Sequence, residues 1–590
     1  MFRRLSPILI AASALAQIPV QDTRNTKIDG LETHYSMPEY KTRAEWEQRK
    51  AHLRRQILFA SGLDPMPEKT PLHAQVFDRV ESQNCTIEKV LLETLPGVYL
   101  GGNLYRPKTS QTASPGKHPA VLNPHGHWTY GRLENQPLDS GPEFGMNLAR
   151  QGYVAFLWDM VGYNDTLQLP HKFGSPVKQL WGFGPFGMQL WNAIRALDFV
   201  ESLPDVDPAR IGVSGASGGG TQTFTLAAVD DRVAFDAPVS MVSAIYAGGD
   251  FCENAPGMRV HANNMEIAAM MAPKPMLLVA ATGDWTRNTM TEEFPAIRKI
   301  YDLYGKPENL DAVIFEAPHN FAKPAREAVY KFFGKHVLNV TDAKKTAERN
   351  EKVEMLQNLL ALANRKLPDN ALAYPQIFEQ WQKAATKQFD ETTSHDLLRR
   401  RLQLALAADW PPDVVSQPNG EAMVLSRRSA GDRIPGIWIE GHGVPAVVVH
   451  PDGAQAARRD PAVAELLKAK RPVLLIDAFQ TGSAVAPRDR SYAIFLGFNQ
   501  SDDACRVQDI LTALAFVHQK FSGPIDLVGL GKAGVWSEFA AAVAPIPVKL
   551  HVDAGWFHGS DDEFLKDFNV PGIQRAGGLG AADRLTASLH

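Results

Sequence analysis

Cysteine is scarce: Cys85, Cys252 and Cys505 are the only three in 590 residues. They lie far apart, which excludes a disulfide framework and a paired-cysteine metal motif. They read instead as small buried residues or free thiols. Net charge is scarce too. The 61 Lys and Arg against 65 Asp and Glu leave a formal charge of −4, which gives no reason to expect nucleic acid or an anionic membrane as partner. The apolar run at the start, "LSPILIAASALA" behind the basic "MFRR", is too short to be a stable membrane anchor. Ala14-Leu15-Ala16 offers small residues for cleavage before Gln17. Residues 1–16 are therefore expected to be a signal peptide, and the protein to be periplasmic or secreted. No cysteine follows that point to take a lipid.

What is present describes a chain that buries large cores: 44% hydrophobic and 21% charged, long enough for two or three domains. After the signal, "RAEWEQRKAHLRRQILFASGL" has a helical period ended by a glycine, and residues 17–84 are expected to be an N-terminal helical segment. From "TIEKVLLETLPGVYLGGNLYRP" onward, short apolar strands alternate with amphipathic helices: "PAVLNPHG", "YVAFLWDMVG", "QLWNAIRALDFVESL", "RIGVSG", "PMLLVAATGD", "AVIFEAPH". That alternation predicts an α/β fold with a mostly parallel central sheet over 85–340. Residues 341–410 are charged and rich in Ala, Leu and Gln, and read as a helical connector with "TDAKKTAERNEKVEMLQNLLALANRKL" as one helix. A second α/β alternation follows over 411–590.

The two alternations match each other in order. "HPAVL" from His118 aligns with "VPAVV" from Val444, "VAFLWDMVG" with "VLLIDAFQTG", and "RALDFVESL" with "TALAFVHQK". "IGVSGASGGGTQTFTLAAV" from Ile211 aligns with "IDLVGLGKAGVWSEFAAAV" from Ile525, and "NAPGMRVHANNMEIAAM" with "NVPGIQRAGGLGAADRL". Five ordered matches imply an internal duplication.

Gly215-Ala216-Ser217-Gly218-Gly219 is G-x-S-x-G between an expected strand and an expected helix. A sharp strand-to-helix turn lifts the serine out of the sheet, and the following N–H faces a developing oxyanion at the positive end of the helix. The hydroxyl needs a base, and the base an orienting acid, in the chain order Ser, acid, His. Asp284 at the end of "PMLLVAATGD" and His319 at the end of "AVIFEAPH" meet that order, with Glu253 in "DFCENAPG" as the alternative acid. The Gly218 N–H is one expected oxyanion donor. The second is the His127 N–H in "NPHGHW", where Gly126 lets the chain turn inward. His125 and His127, one residue apart with no nearby carboxylate, make a weak metal site, and no metal is expected. Of Trp128, Trp158, Trp181 and Trp285, we single out Trp285 and Trp128 as flat apolar walls for a sugar ring.

Taken together, the elbow, "NPHGHW", "DMVG", "GMQLWNAIRALDFVESLPDVDPARIGVSGASGGG", "CENAPGMR", "ATGDWT" and "APHNF" resemble the acetyl xylan esterase branch of the α/β-hydrolases. That branch is related to dienelactone-hydrolase and prolyl-oligopeptidase-like enzymes. The resemblance spans roughly residues 40–340. It implies an α/β-hydrolase lobe that deacylates an acylated oligosaccharide or polysaccharide through an acyl-enzyme, without cofactor. Ser217 would be the nucleophile, His319 the base and Asp284 its orienter. His127 departs from the His-Gly-Tyr form of that loop, which leaves the acyl preference open. A prolyl-oligopeptidase-like peptidase is the alternative within the same chemistry, disfavoured because no propeller repeat precedes the lobe. A non-catalytic glycan-binding protein is the alternative outside it.

In the second copy Gly531 stands at the serine position and Lys532 follows. Pro451-Asp452 replaces His125-Gly126, and by the alignment the chain stops before the strands that would carry an acid and a base. The expectation is a degenerate, truncated lobe that cannot hydrolyse. Three roles are open to it: covering the first lobe, homo-oligomerisation, or glycan binding.

Overall fold

The computed structural model describes residues 18–108, 117–428 and 430–587. The expected signal peptide lies outside the described residues. The first lobe contains β1 (Gln75–Glu81), β2 (Cys85–Leu95), β3 (Val98–Pro107), β4 (His118–Pro124), the two-residue strands β5 (Asn135–Gln136) and β6 (Asp139–Ser140), β7 (Val154–Trp158), β8 (Val206–Ala216), β9 (Val233–Val239), β10 (Met276–Gly283) and β11 (Leu310–Pro318). Nine of these form one sheet in the order β1-β2-β3-β7-β4-β8-β9-β10-β11. The pairs from β1 to β7 are antiparallel, and those from β7 to β11 are parallel.

The parallel strands read as unbroken apolar runs because helices cover both faces; every residue of β7 is buried. Helices Arg43–Ala60, Pro185–Glu201, Gly218–Val229 and Glu293–Leu303 close one face around Trp46, Trp191 and Phe199. Helices Gly141–Arg150 and Lys323–Val337 close the other around Phe144, Tyr330 and Phe333. This is the α/β-hydrolase arrangement, and it sends the loops after β8, β10 and β11 out at one end of the sheet. No described helix is long and apolar enough to cross a membrane.

The second sheet holds β12 (Val414–Asn419), β13 (Ala422–Arg427), β14 (Ile434–Ile439), β15 (Ala446–Val449), β16 (Val473–Ile476), β17 (Ile525–Gly529) and β18 (Val548–Val552). Its order, β12-β13-β14-β16-β15-β17-β18, repeats the first seven positions of the larger sheet. No described strand stands where β10 and β11 would fall. A buried aspartate follows the equivalent strand in both sheets, Asp159 after β7 and Asp477 after β16.

Two expectations from the sequence need correction. The N-terminal segment is not wholly helical. The helix Arg43–Ala60 is capped by the Thr42 side chain, which accepts from the Glu45 N–H, and Gly62 at φ +68° ends it. Beyond it, Gln75–Glu81 becomes β1 by pairing with β2, whose outer edge is otherwise open. The first part of the connector is not one helix either. Only Ala343–Thr346 and Leu356–Leu359 are helical there, because side chains of the first lobe take up its backbone groups. Asn147 accepts from the Arg349 N–H, Asn103 donates to the Leu359 carbonyl, and Asp165 accepts from the Ala361 and Leu362 N–H groups. Helices Tyr374–Asp390 and His395–Leu406 follow.

The lobes are clamped together. Phe59 and Leu180, both from the first lobe, are buried in the core of the second. The Trp181 indole N–H donates to Asp561, 3.0 Å, and the Trp381 N–H donates to the Trp181 carbonyl, 3.0 Å. Near the N-terminus, Arg24 pairs with buried Asp509 at 2.7 Å. A chain ended at residue 409 should therefore expose Phe59 and Leu180 and aggregate. Size-exclusion of that truncation checks this, and a monodisperse first lobe would contradict it.

Arg132 carries the second stability prediction. Its fully buried guanidinium pairs with Asp159 and, at 2.6 Å, with Asp165, and its Nε donates to Asn103 at 2.9 Å. Arg132→Met would strand two buried carboxylates, and about 3–5 kcal/mol of destabilisation is expected. Urea unfolding of the intact variant measures it.

Candidate active site

Ser217 sits between β8 and the helix Gly218–Val229 with φ 59° and ψ −124°, a backbone state a non-glycine residue rarely holds. Its surroundings over-determine it. The Ser217 N–H donates to the Val239 carbonyl at the end of β9, and the Ser217 carbonyl accepts from the Thr221 N–H, both at 3.0 Å. The glycines around it are required by close approach rather than by freedom. A Cβ on Gly215 or on Gly219 would lie 2.1 or 2.2 Å from the Pro124 carbonyl oxygen of β4. Strand β4 thus presses directly on the turn, and only hydrogen side chains leave it room.

Asp284 and His319 end the neighbouring strands β10 and β11 and meet there. His319 Nδ1 lies 2.8 Å from Asp284 Oδ2. The other carboxylate oxygen, Oδ1, accepts from the Thr286 N–H at 2.7 Å and from its hydroxyl at 2.5 Å. Burial alone would raise the Asp284 carboxyl, yet the hydrogen bonds from His319 and Thr286 hold it below its ordinary value. The carboxylate therefore stays ionised at neutral pH. It fixes the imidazole with its proton on Nδ1 and its lone pair on Nε2.

Two indoles position that imidazole. The Trp285 ring lies over His319 at 4.5 Å between centroids, and its own N–H donates to the Ser240 carbonyl, 3.1 Å. Trp128 stacks on His319 at 6.0 Å. Ser240 follows Val239, which accepts from the Ser217 N–H, and a Cβ on Gly126 would touch both Ser217 Cβ and Trp128 Nε1 at 3.0 Å. Ser217, Asp284 and His319 therefore gather at one end of the sheet, with Trp128 and Trp285 against the imidazole.

The loop after β4 lies over the elbow. A Cβ on Gly218 would come 2.8 Å from Cε1 of His127, so the His127 imidazole covers the first residue of the helix. Helix N–H groups in the first turn have no acceptor within the helix. His125 has another task. Its Nδ1 reaches the Gly126 carbonyl at 2.6 Å and its Nε2 accepts from the Met160 N–H at 2.9 Å. Burial pushes its pKa down to about 3, so it stays neutral and ties the loop to the end of β7.

Other sequence candidates fall elsewhere. Glu253 is buried in the loop after β9, where its Oε2 accepts from the Asp250 N–H at 3.1 Å; the hydrogen bond to His319 belongs to Asp284. Trp158 is core, and Trp181 serves the second lobe. Tyr246, whose ring lies 4.5 Å from Trp285, and His171 join the site without any sequence motif to announce them, and Thr286, at the end of "ATGDWT", joins it in a role the motif did not give. An apolar cavity of ≈ 360 Å³ is lined in part by Lys172, Phe173, Phe251 and Asn254 and, from the second lobe, by Pro571 and Gly572, and by none of Ser217, Asp284 or His319. Phe251 and, on other loops of the first lobe, Tyr130 and Met290 stand exposed.

No family model matches the chain. Over 260 residues it is 27% identical to a protein named as a hydrolase, YtaP of Bacillus subtilis (strain 168), covering 42% of this chain and 85% of that protein. Among solved structures it is similar to the methylesterase BT1017, with 28% identity, TM-score 0.49, and coverage of 60% of this chain and 78% of that one. A glucuronoyl esterase from Solibacter usitatus aligns at 16% identity and TM-score 0.38, covering 54% of this chain and 99% of its own. An acetyl xylan esterase from Paenibacillus sp. R4 aligns at 19% and 0.35, covering 51% and 97%.

The depressed Asp284 carboxyl carries a signed prediction. A carboxyl whose folded pKa lies below its unfolded value stabilises the fold above that unfolded value, and the benefit fades as pH falls through the folded pKa. Asp284→Asn should therefore cost the same stability from pH 8 down to about pH 5. The cost should shrink in stronger acid, where the wild-type carboxylate is itself protonated. Denaturant unfolding at a series of pH values tests this, and a cost that grows in acid would contradict it.

Proposed function

We propose that the first lobe is a serine esterase that hydrolyses acyl esters, acetyl above all, of plant carbohydrate outside the cell. The observation that carries the reading is the 2.8 Å bond from His319 Nδ1 to Asp284, at the end of the sheet where the strained turn presents Ser217. An imidazole so held has one nitrogen left, and Nε2 takes the Ser217 proton as Oγ attacks the ester carbonyl. The Gly218 and His127 N–H groups receive the oxyanion. The alcohol leaves with the proton from the imidazolium, and water then frees the acid by the same steps in reverse.

Support for a sugar-bearing substrate comes from the side chains around the site. Trp128 and Trp285 offer flat faces beside the imidazole, and Tyr130, Phe251 and Met290 stand exposed on surrounding loops. Large apolar rings suit the faces of pyranoses better than charged groups do. The basic and apolar start of the chain supports export. The relatives named as esterases of carbohydrate agree with this reading.

Ser217→Ala should lower turnover of p-nitrophenyl acetate by about 10⁴-fold or more while leaving the unfolding midpoint in place. Wild-type turnover in that variant would end the proposal. A screen of acetylated xylan, methyl-esterified pectin and methyl glucuronate esters then identifies the ester. Cleavage of the methyl esters alone would keep the relay and replace acetate by a uronate carbonyl as the point of attack.

A further inference from the structure

Four side chains that no part of the ester relay employs converge beside the elbow. His127 comes from the loop after β4, His171 from the loop after β7, and Asp250 and Cys252 from the loop after β9. One ligand atom from each lies within 4.8 Å of all the others. His127 Nε2 is 3.1 Å from His171 Nε2 and 3.0 Å from Cys252 Sγ. We propose that His127, His171, Asp250 and Cys252 form a four-coordinate site for a divalent transition-metal ion of the zinc type.

The protons argue for it. His171 Nδ1 donates to the Val161 carbonyl at 2.7 Å, which leaves a lone pair on Nε2 aimed at His127. This is the outer hydrogen bond by which metal-binding imidazoles are oriented. The His127 nitrogen facing it has two neighbours within 3.1 Å, another imidazole nitrogen and a sulfur, and a single N–H satisfies only one of them. An ion with bonds of about 2.0 Å to nitrogen and 2.3 Å to sulfur satisfies all three, because tetrahedral geometry then sets ligand separations of roughly 3.3–3.5 Å. Asp250 supplies the anionic oxygen; its Oδ1 accepts from the Phe251 N–H at 2.7 Å and its Oδ2 meets Lys172 at 3.1 Å. The Cys252 carbonyl is held by Gln189 at 3.0 Å. Two imidazoles, a thiolate and a carboxylate form a donor set that selects zinc or cobalt over magnesium or calcium.

The ion would be a strut. It would tie together three loops that lie far apart along the chain, and its ligand His127 is the side chain that covers Gly218. The inference concerns metal binding alone and does not rest on the esterase reading.

The test uses the full chain, stripped with EDTA and titrated with Zn²⁺ against a chromophoric chelator, and separately with Co²⁺ as a spectroscopic probe. One equivalent of Zn²⁺ should bind and raise the unfolding temperature. Co²⁺ should give a thiolate charge-transfer band that Cys252→Ser removes. His171→Ala and Asp250→Asn should each weaken Zn²⁺ binding by 10-fold or more. The proposal falls if the stripped wild type takes up no stoichiometric zinc and gives no cobalt band, or if uptake is unchanged in the substituted chains. Should one variant fail to fold, the wild-type band and temperature shift decide the matter alone.

Discussion

The contact on which the site depends is the pressure of β4 on the elbow. The Pro124 carbonyl leaves no room for a Cβ at Gly215 or Gly219, so the start of the helix after Ser217 is packed against β4, the strand with which β8 pairs. A turn gripped this way keeps Ser217 at φ 59° without relaxing to a commoner conformation. The backbone cost is borne by the surrounding parallel strands, whose hydrogen bonds and buried aliphatic side chains would all have to shift together. Position follows from this. The residue after β4 enters the loop over Gly218, the N–H of Ser217 reaches β9, and the next two strands bring the acid and the imidazole to the same end.

The second copy separates geometry from chemistry. Gly531 keeps a positive φ of 51°, and a Cβ there would meet nothing nearer than Pro451 Cγ at 3.8 Å. A serine would fit that space, so its absence is not a packing requirement. What the copy lacks is partners. No described strand follows β18 in its sheet to carry an acid or a base, and Lys532 at the turn is committed to Asp567 at 3.1 Å. A hydroxyl there would have no base to activate it. The strand order is kept while glycine stands at the serine position, in a lobe whose core has taken in Phe59 and Leu180 of its neighbour.

Much of this was legible from residue patterns. The mostly parallel sheet followed from alternating apolar runs, G-x-S-x-G marked the strand-to-helix turn, and Asp284 and His319 were singled out by lying at strand ends in the order Ser, acid, His. What escaped the sequence was long-range. The segment 347–362 carries helical periodicity, yet Asp165, Asn103 and Asn147 bond its backbone groups and only Leu356–Leu359 is helical within it. Local propensity yields to such tertiary bonds because each gives a buried polar group its partner. His171, Asp250 and Cys252 escaped for a related reason. His171 lies in the loop after β7 and Asp250 and Cys252 in the loop after β9, and only the closure of the sheet brings them to His127.

The choice between the two candidate acids shows why chain order alone could not decide. Glu253 and Asp284 both lie between serine and histidine in the sequence, and both are buried. What separates them is the strand each follows. Asp284 ends β10, the immediate neighbour of β11, so its carboxylate is delivered to the imidazole by the same register that pairs Gly283 with Pro318. Glu253 hangs from the loop after β9, where its carboxylate turns back to the Asp250 N–H. Burial raises its pKa to about 7, a poor property for an orienter that must remain charged while the imidazole gains and loses its proton. The hydrogen bonds at Asp284 do the reverse and keep the charge in place, so register and electrostatics select the same carboxylate.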